Sequence, residues 1–93
     1  MTRKERMTQV LHEAFNPLFL DVIDESHQHH GHSGWREEGE THIRVKIISH
    51  IFDGESRINR HRRVNACLAP FFKEGLHALA IEANAPAETI QHE

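Results

Sequence analysis

Gly39-Glu40-Thr41-His42-Ile43-Arg44-Val45-Lys46-Ile47-Ile48-Ser49 is the stretch on which the fold turns. From Thr41 to Ser49 the side chains alternate, with Ile43, Val45 and Ile47 to one side and His42, Arg44 and Lys46 to the other. Alternation of this kind, in a run rich in β-branched residues, predicts a strand with one face on a core and one in water. Upstream, Leu18-Phe19-Leu20-Asp21-Val22-Ile23-Asp24-Glu25 has similar character, with Leu18, Leu20 and Val22 sharing a face. Between the two, Ser26 to Glu40 has no periodicity and contains Gly31, Gly34 and Gly39, so it reads as a loop. A structureless connection of that length is uncommon in a compact domain unless it is functional or disordered. The two strands are expected to pair antiparallel across it.

The flanking segments are helical. Met7, Val10, Leu11, Ala14 and Phe15 recur at helix spacing, Thr2 and Glu5 have the spacing of a capping box, and Asn16-Pro17 closes the helix. After a turn at Phe52-Asp53-Gly54, Ser56 or Asn59 can cap a second helix with an apolar stripe of Val64, Cys67, Leu68, Phe71 and Phe72. Pro70 falls inside that stripe, where it removes a donor and crowds the preceding turn, so a kink or a fresh turn is expected there. Gly75 stops the helix, and His77-Ala78-Leu79-Ala80-Ile81-Glu82-Ala83 reads as a third strand in which His77, Leu79 and Ile81 share a face. The order α-β-β-α-β places two helices on one face of a three-stranded mixed sheet, an α/β (α+β) domain with the element order of a class II KH-like module. The tail after Asn84-Ala85-Pro86 adds at most a helical turn.

Length and composition bound the function. Ninety-three residues make one domain, 1–93, with a modest core and no room for a deep substrate cavity. Eleven basic against fourteen acidic side chains give a net charge of -3, which argues against a general nucleic-acid binder. The single cysteine, Cys67, excludes an internal disulfide framework and fits a reducing compartment. The charged start leads into no apolar signal segment and nothing approaches a membrane span, so a soluble, cytoplasmic protein is expected, a monomer in isolation.

Ten of the residues are histidine, and four of them, His27, His29, His30 and His32, fall within the loop. Imidazole is a common metal ligand that titrates near neutrality, and about half of such side chains are charged at pH 6.5. Two or three of these rings can converge on one ion, although four histidines on a glycine-containing loop form an adventitious site more readily than a closed structural one. The same residues also fit a merely polar loop. His77 is more selective: if the third strand lies parallel to the second, it starts where the loop enters. Arg60, His61, Arg62 and Arg63 crowd the start of the second helix, where cations oppose the helix dipole and call for compensation by Glu55, Asp53 or an anionic partner. That run is either a solvated, ion-paired face or a phosphate-contacting one, in which Arg60, Arg62, Arg63 and Lys46 are the candidates. Ser33, His42 and Asp53 stand in no triad context, Cys67 sits on an apolar stripe, and no phosphate-binding glycine motif occurs, so the chain is not read as an enzyme. Trp35 is either an interface anchor or a clip for the loop.

Asp24-Glu25-Ser26 with the histidine loop, Gly39-Glu40-Thr41-His42-Ile43-Arg44-Val45, Phe52-Asp53-Gly54, Arg60-His61-Arg62-Arg63-Val64 and Gly75-Leu76-His77-Ala78-Leu79, in that order, resemble the BolA-like family over nearly the whole chain. The resemblance implies a class II KH-like fold and a partner, a monothiol glutaredoxin, with which a bridging 2Fe-2S cluster is shared. It further implies that the glutaredoxin and its glutathione supply thiolates while this chain supplies His77 from the last strand and His29 from the loop, with His27, His30 and His32 as alternatives. No cofactor is expected in the isolated chain. Some members act as DNA-binding regulators of morphology and stress responses, which makes transcriptional regulation the second implied role.

Overall fold

The structure, a computed structural model, describes residues 2–26 and 41–87. Its order is α1 (Arg3–Phe15), β1 (Phe19–Asp24), β2 (His42–Ile48), a short 3-10 turn (His50–Phe52), α2 (Arg57–Leu68), a second 3-10 segment (Ala69–Glu74) and β3 (Ala78–Asn84). The strands form one sheet in the order β1-β2-β3, with β1 antiparallel to β2 and β3 parallel to it. This is the α-β-β-α-β mixed sheet that the alternation and helix spacings call for.

Local chemistry sets each boundary. Thr2 Oγ1 accepts from the Glu5 N–H at 3.1 Å, and Glu5 returns the bond to the Thr2 N–H at 3.0 Å. Two of the donors orphaned at the start of α1 are thereby satisfied. Asn16 ends the helix in the left-handed region at φ 42°, its N–H donating to the His12 carbonyl. Ser56, rather than Asn59, caps α2: its Oγ accepts from the Asn59 N–H at 3.2 Å. At Pro70 the α-helix gives way to 3-10 geometry, as a missing N–H dictates, which turns Phe71 into the core and leaves Phe72 exposed. Gly75 then reverses the chain at φ 119°, and its N–H donates back to the carbonyls of Phe71 and Phe72.

Met7, Leu11 and Phe15 from α1 and Val64 and Leu68 from α2 meet Val22, Ile43, Val45, Ile47 and Ala83 of the sheet in one core. Phe52, fully buried, packs its ring 5.3 Å from that of Phe15. Ser49 ties the two layers: its Oγ donates to the Phe15 carbonyl at 2.6 Å and its N–H to the Asn84 carbonyl at 3.1 Å. Arg6 closes the rim, pairing with Glu74 and lying over the Phe71 ring. Both helices share one face, so the other face of the sheet, with Asp21, Arg44, Lys46 and Glu82, has no helix over it. No helix among the described residues is long and apolar enough to cross a membrane.

Candidate functional site: an imidazole pair at the loop ends

The parallel pairing of β3 with β2 places His42 opposite Ala78, so His77 arrives beside Thr41. The Thr41 carbonyl accepts from both the His77 N–H at 2.7 Å and the Ala78 N–H at 3.0 Å. These bonds fix the backbone of an exposed His77 against the first residues of β2. The His77 ring does not continue the Leu79–Ile81 face toward the core, as strict alternation predicts. It lies against the ring of His42, centroids 5.3 Å apart and planes at 50°. The departure has a simple cause: His77 precedes the first residue of the strand, and the pleat does not yet govern its side chain.

His42 is the residue the sequence reading passed over. Its position opposite Ile43 predicts a wet side chain, yet it is only 6% exposed. A set of hydrogen bonds at the two ends of the loop explains the burial. Ser26, itself buried, donates through Oγ to the Asp24 carboxylate at 2.6 Å and accepts from the Thr41 N–H at 2.9 Å. The Thr41 hydroxyl lies 3.3 Å from Ser26 Oγ and 3.0 Å from His42 Nδ1. The Glu25 N–H donates to the His42 carbonyl at 2.8 Å. Asp24-Glu25-Ser26 and Thr41-His42 are thus a clasp that closes the loop at its base, and His77 is hydrogen-bonded to the same clasp. His27, His29, His30 and His32, with Trp35, lie outside the described residues.

Beside the pair a surface cavity of about 200 Å³ opens on the helix-free sheet face, lined by Glu25, His42, Arg44, Ala78 and Ala80 among others. The short alanine side chains leave the space. Arg44 bridges Glu25 and Glu82, 2.9 Å from each, and these bonds, to Glu25 first, raise its pKa further. Among the described residues no three histidine, cysteine, aspartate or glutamate side chains converge as a complete metal site. Cys67 stands apart on α2, partly buried, and that burial pushes its thiol up and lowers its thiolate fraction.

The basic run does not form the single patch that Arg60, Arg62, Arg63 and Lys46 suggested. Arg60 is 7% exposed and turned inward, its Nε donating to the Glu55 carbonyl at 3.0 Å and its Nη1 to the Ala83 carbonyl at 3.4 Å. Arg63 pairs with the Glu55 carboxylate, the compensation expected at this helix start, while Asp53 pairs with His50 instead. Lys46 alternates with Val45 and projects from the far side of the sheet, away from α2. Arg57, Ile58, His61 and Arg62 remain together on the exposed side of α2.

The family model described as "BolA-like protein" matches residues 11–88. An uncharacterized protein from the cobS 5' region of a Sinorhizobium species is 51% identical over 95% of this chain and 96% of its own length. The DNA-binding transcriptional regulator BolA of Escherichia coli is 40% identical over 87% of this chain and 73% of that protein. The chloroplastic/mitochondrial SufE-like protein 1 of Arabidopsis thaliana is 41% identical over 94% of this chain, but that match spans 24% of the relative. In three dimensions, the BolA domain of SufE1 from Arabidopsis thaliana superposes with a TM-score of 0.84 at 41% identity, covering 95% of this chain and 96% of that one. Sequence, fold and the quoted motifs agree, and the chain belongs to the BolA-like protein family.

Proposed function

We propose that the chain is a non-enzymatic adaptor that pairs with a monothiol glutaredoxin in the cytoplasm and shares a 2Fe-2S cluster with it, in cluster trafficking or iron-status regulation. The observation that carries this reading is His77: an exposed imidazole, backbone-fixed to Thr41, at the point where the histidine loop leaves and re-enters the fold. The donor set fits a shared cluster better than a private one. Two imidazoles, His42 and His77, lie close together at the base of the histidine loop, which supports a centre completed by ligands from the loop and from a partner. Imidazole with thiolate is a sound combination for such a cluster and raises its potential relative to thiolate alone. The occurrence of a related domain within a SufE-like protein supports a place in iron–sulfur biology.

The test is to mix the purified protein with a cluster-loaded monothiol glutaredoxin. A heterodimer and a changed visible circular dichroism spectrum are expected, and no complex in either the apo or the loaded state would remove the reading.

A DNA-binding role is the second reading, favoured by one observation: Arg57 and Arg62 are both exposed on α2 and line one surface hollow, in a chain related to a protein named as a DNA-binding transcriptional regulator. Tight, sequence-selective duplex binding by the isolated chain at physiological salt would place this role first.

A further inference from the structure

We propose that the exposed side of α2 is a docking surface for a short acidic segment of another protein. The segment seats an apolar side chain against Ile58 and places carboxylates on Arg57 and Arg62. This goes beyond both readings above and depends on neither.

Ile58 is 63% exposed, on a helix whose core residues Val64 and Leu68 are fully buried. One exposed aliphatic side chain needs no explanation by itself. What sets Ile58 apart is a hollow of about 400 Å³ that it lines together with Arg57, His61 and Arg62. Arg57 and His61 are four residues apart, as are Ile58 and Arg62, so the lining is two adjacent stripes of the helix surface. Past Arg57 and His61 a second hollow of about 220 Å³ opens along β3, bounded by Ile81, Glu82, Ala83 and Asn84. The His61 ring, which donates to the Ile81 carbonyl at 2.9 Å, is a fixed wall shared by the two.

Charge selects the occupant. Arg6, Arg44 and Arg63 each meet a carboxylate, whereas neither Arg57 nor Arg62 has an ion-pair partner among the described residues. The first turn of α2 holds no acidic residue to balance them. Two unpaired guanidiniums in a chain of net charge -3 are a local positive patch on an acidic molecule. A long polyanion gains from the patch but is repelled by the rest of the chain, and its phosphates leave the apolar hollow unfilled. A short acidic segment meets the patch alone. Its carboxylates accept from the guanidiniums, whose forked donors match them, and its apolar side chain covers Ile58.

The probe is the synthetic peptide acetyl-Glu-Glu-Leu-Phe-Glu-Glu-amide, titrated to about 1 mM into the isotope-labelled full chain and followed by amide NMR shifts. Saturable shifts are expected at Arg57, Ile58, His61 and Arg62 and at β3 from Ile81 to Asn84. Affinity should fall at least about fivefold when every Glu of the peptide becomes Gln, and by a similar factor when Leu-Phe becomes Ser-Ser. On the protein side, Arg57→Gln/Arg62→Gln and Ile58→Ser should each cost about fivefold. Lys46→Gln removes a charge from the helix-free face of the sheet and should leave the affinity within about twofold. All four positions are on the surface or half-buried, so melting temperatures near that of the parent are expected and separate lost binding from lost folding. No saturable shift, shifts confined to other elements, equal affinity for the Gln or Ser peptides, or an equal loss with Lys46→Gln overturns the proposal. A DNA duplex that shifts the same amides with higher affinity than the peptide at physiological salt gives the hollow to nucleic acid instead. Shifts that appear on concentrating the chain alone give it to a second copy.

Discussion

His61 Nε2 lies 2.9 Å from the carbonyl oxygen of Ile81, a bond in which the ring must be the donor. Ile81 is on β3, an edge of the sheet. The Ala78 N–H and the Asn84 carbonyl both point back toward β2 and its flanks, so the alternate residues, Ile81 and Ala83 among them, present their backbone groups outward. Those two outward carbonyls are taken by His61 and by Arg60. An open edge is a template for pairing with another chain, and α2 blunts this one with two side chains.

Removing that protection has a measurable consequence. His61→Ala should cost about 0.5–1.5 kcal/mol, the net worth of one hydrogen bond. It should also raise self-association at high protein concentration. Urea denaturation gives the first quantity and light scattering the second. Unchanged scattering would show that Arg60 alone suffices to guard the edge.

Arg60 and Arg62 are two residues apart, yet they should separate cleanly in experiment. Arg60 is buried with its guanidinium on backbone carbonyls, so Arg60→Met leaves the Glu55 and Ala83 carbonyls without that donor and should cost about 1–3 kcal/mol. Arg62 is exposed, and Arg62→Gln should stay within about 0.5 kcal/mol. In duplex binding the order reverses. Neutralising a phosphate-contacting Arg62 lowers the slope of log affinity against log salt by about 1, whereas Arg60→Met in folded protein leaves the slope alone. Equal slopes for both variants and the parent would take α2 out of any nucleic-acid interface.

How the sequence disclosed Arg60 and His42 differs in kind from how it disclosed the strands. Ile43, Val45 and Ile47 announce their face because burial on a sheet has a period of two, and the Thr2–Glu5 spacing announces a cap because both partners are local. Pro70 likewise forces its own 3-10 turn. Arg60 and His42 owe their burial to distant groups. The Ala83 carbonyl meets Arg60 only after the sheet has formed, and the clasp that encloses His42 joins Ser26 to Thr41 across fifteen positions. No periodicity records such contacts. The motif pieces Asp24-Glu25-Ser26 and Thr41-His42 were visible as separate words, and their hydrogen-bonded relation is what folding adds. His77 was legible because the parallel arrangement of β3 followed from topology, although the direction of its ring did not.

Acid stability should reflect Glu74 and Glu5. The bond from Arg6 holds the Glu74 carboxyl below its ordinary value, and the Thr2 N–H and then the Thr2 hydroxyl do the same for Glu5. A carboxylate depressed in the folded state contributes stability that is fully present above its unfolded pKa, about 4.5, and is lost as pH falls through the lower folded value. The chain should therefore lose thermal stability progressively below pH 4.5. The double variant Glu5→Gln/Glu74→Gln should be less stable than the parent at pH 7 and flatter below pH 4.5. Thermal melts between pH 3 and pH 7 check this, and parallel curves for the two proteins would assign the acid limb to other carboxylates.

Within the cluster-bearing complex, His77→Ala should disturb the spectrum more than any single substitution in the loop. His77 has a backbone fixed by the Thr41 carbonyl, and no other histidine of the chain lies within two residues of it. His29, by contrast, has His27, His30 and His32 close by in sequence, so His29→Ala leaves several imidazoles able to take its place. Losing one ligand is costly when nothing nearby in sequence can replace it and mild when a neighbouring imidazole can. The expected order in visible circular dichroism is parent and His29→Ala nearly alike, with His77→Ala reduced or reverted to the spectrum of glutaredoxin alone. Because His77 is exposed, His77→Ala should keep the melting temperature of the parent, so loss of signal reports ligation rather than folding. The reverse order, with His29→Ala abolishing the signal and His77→Ala retaining it, would move the ligand from the start of β3 to the loop.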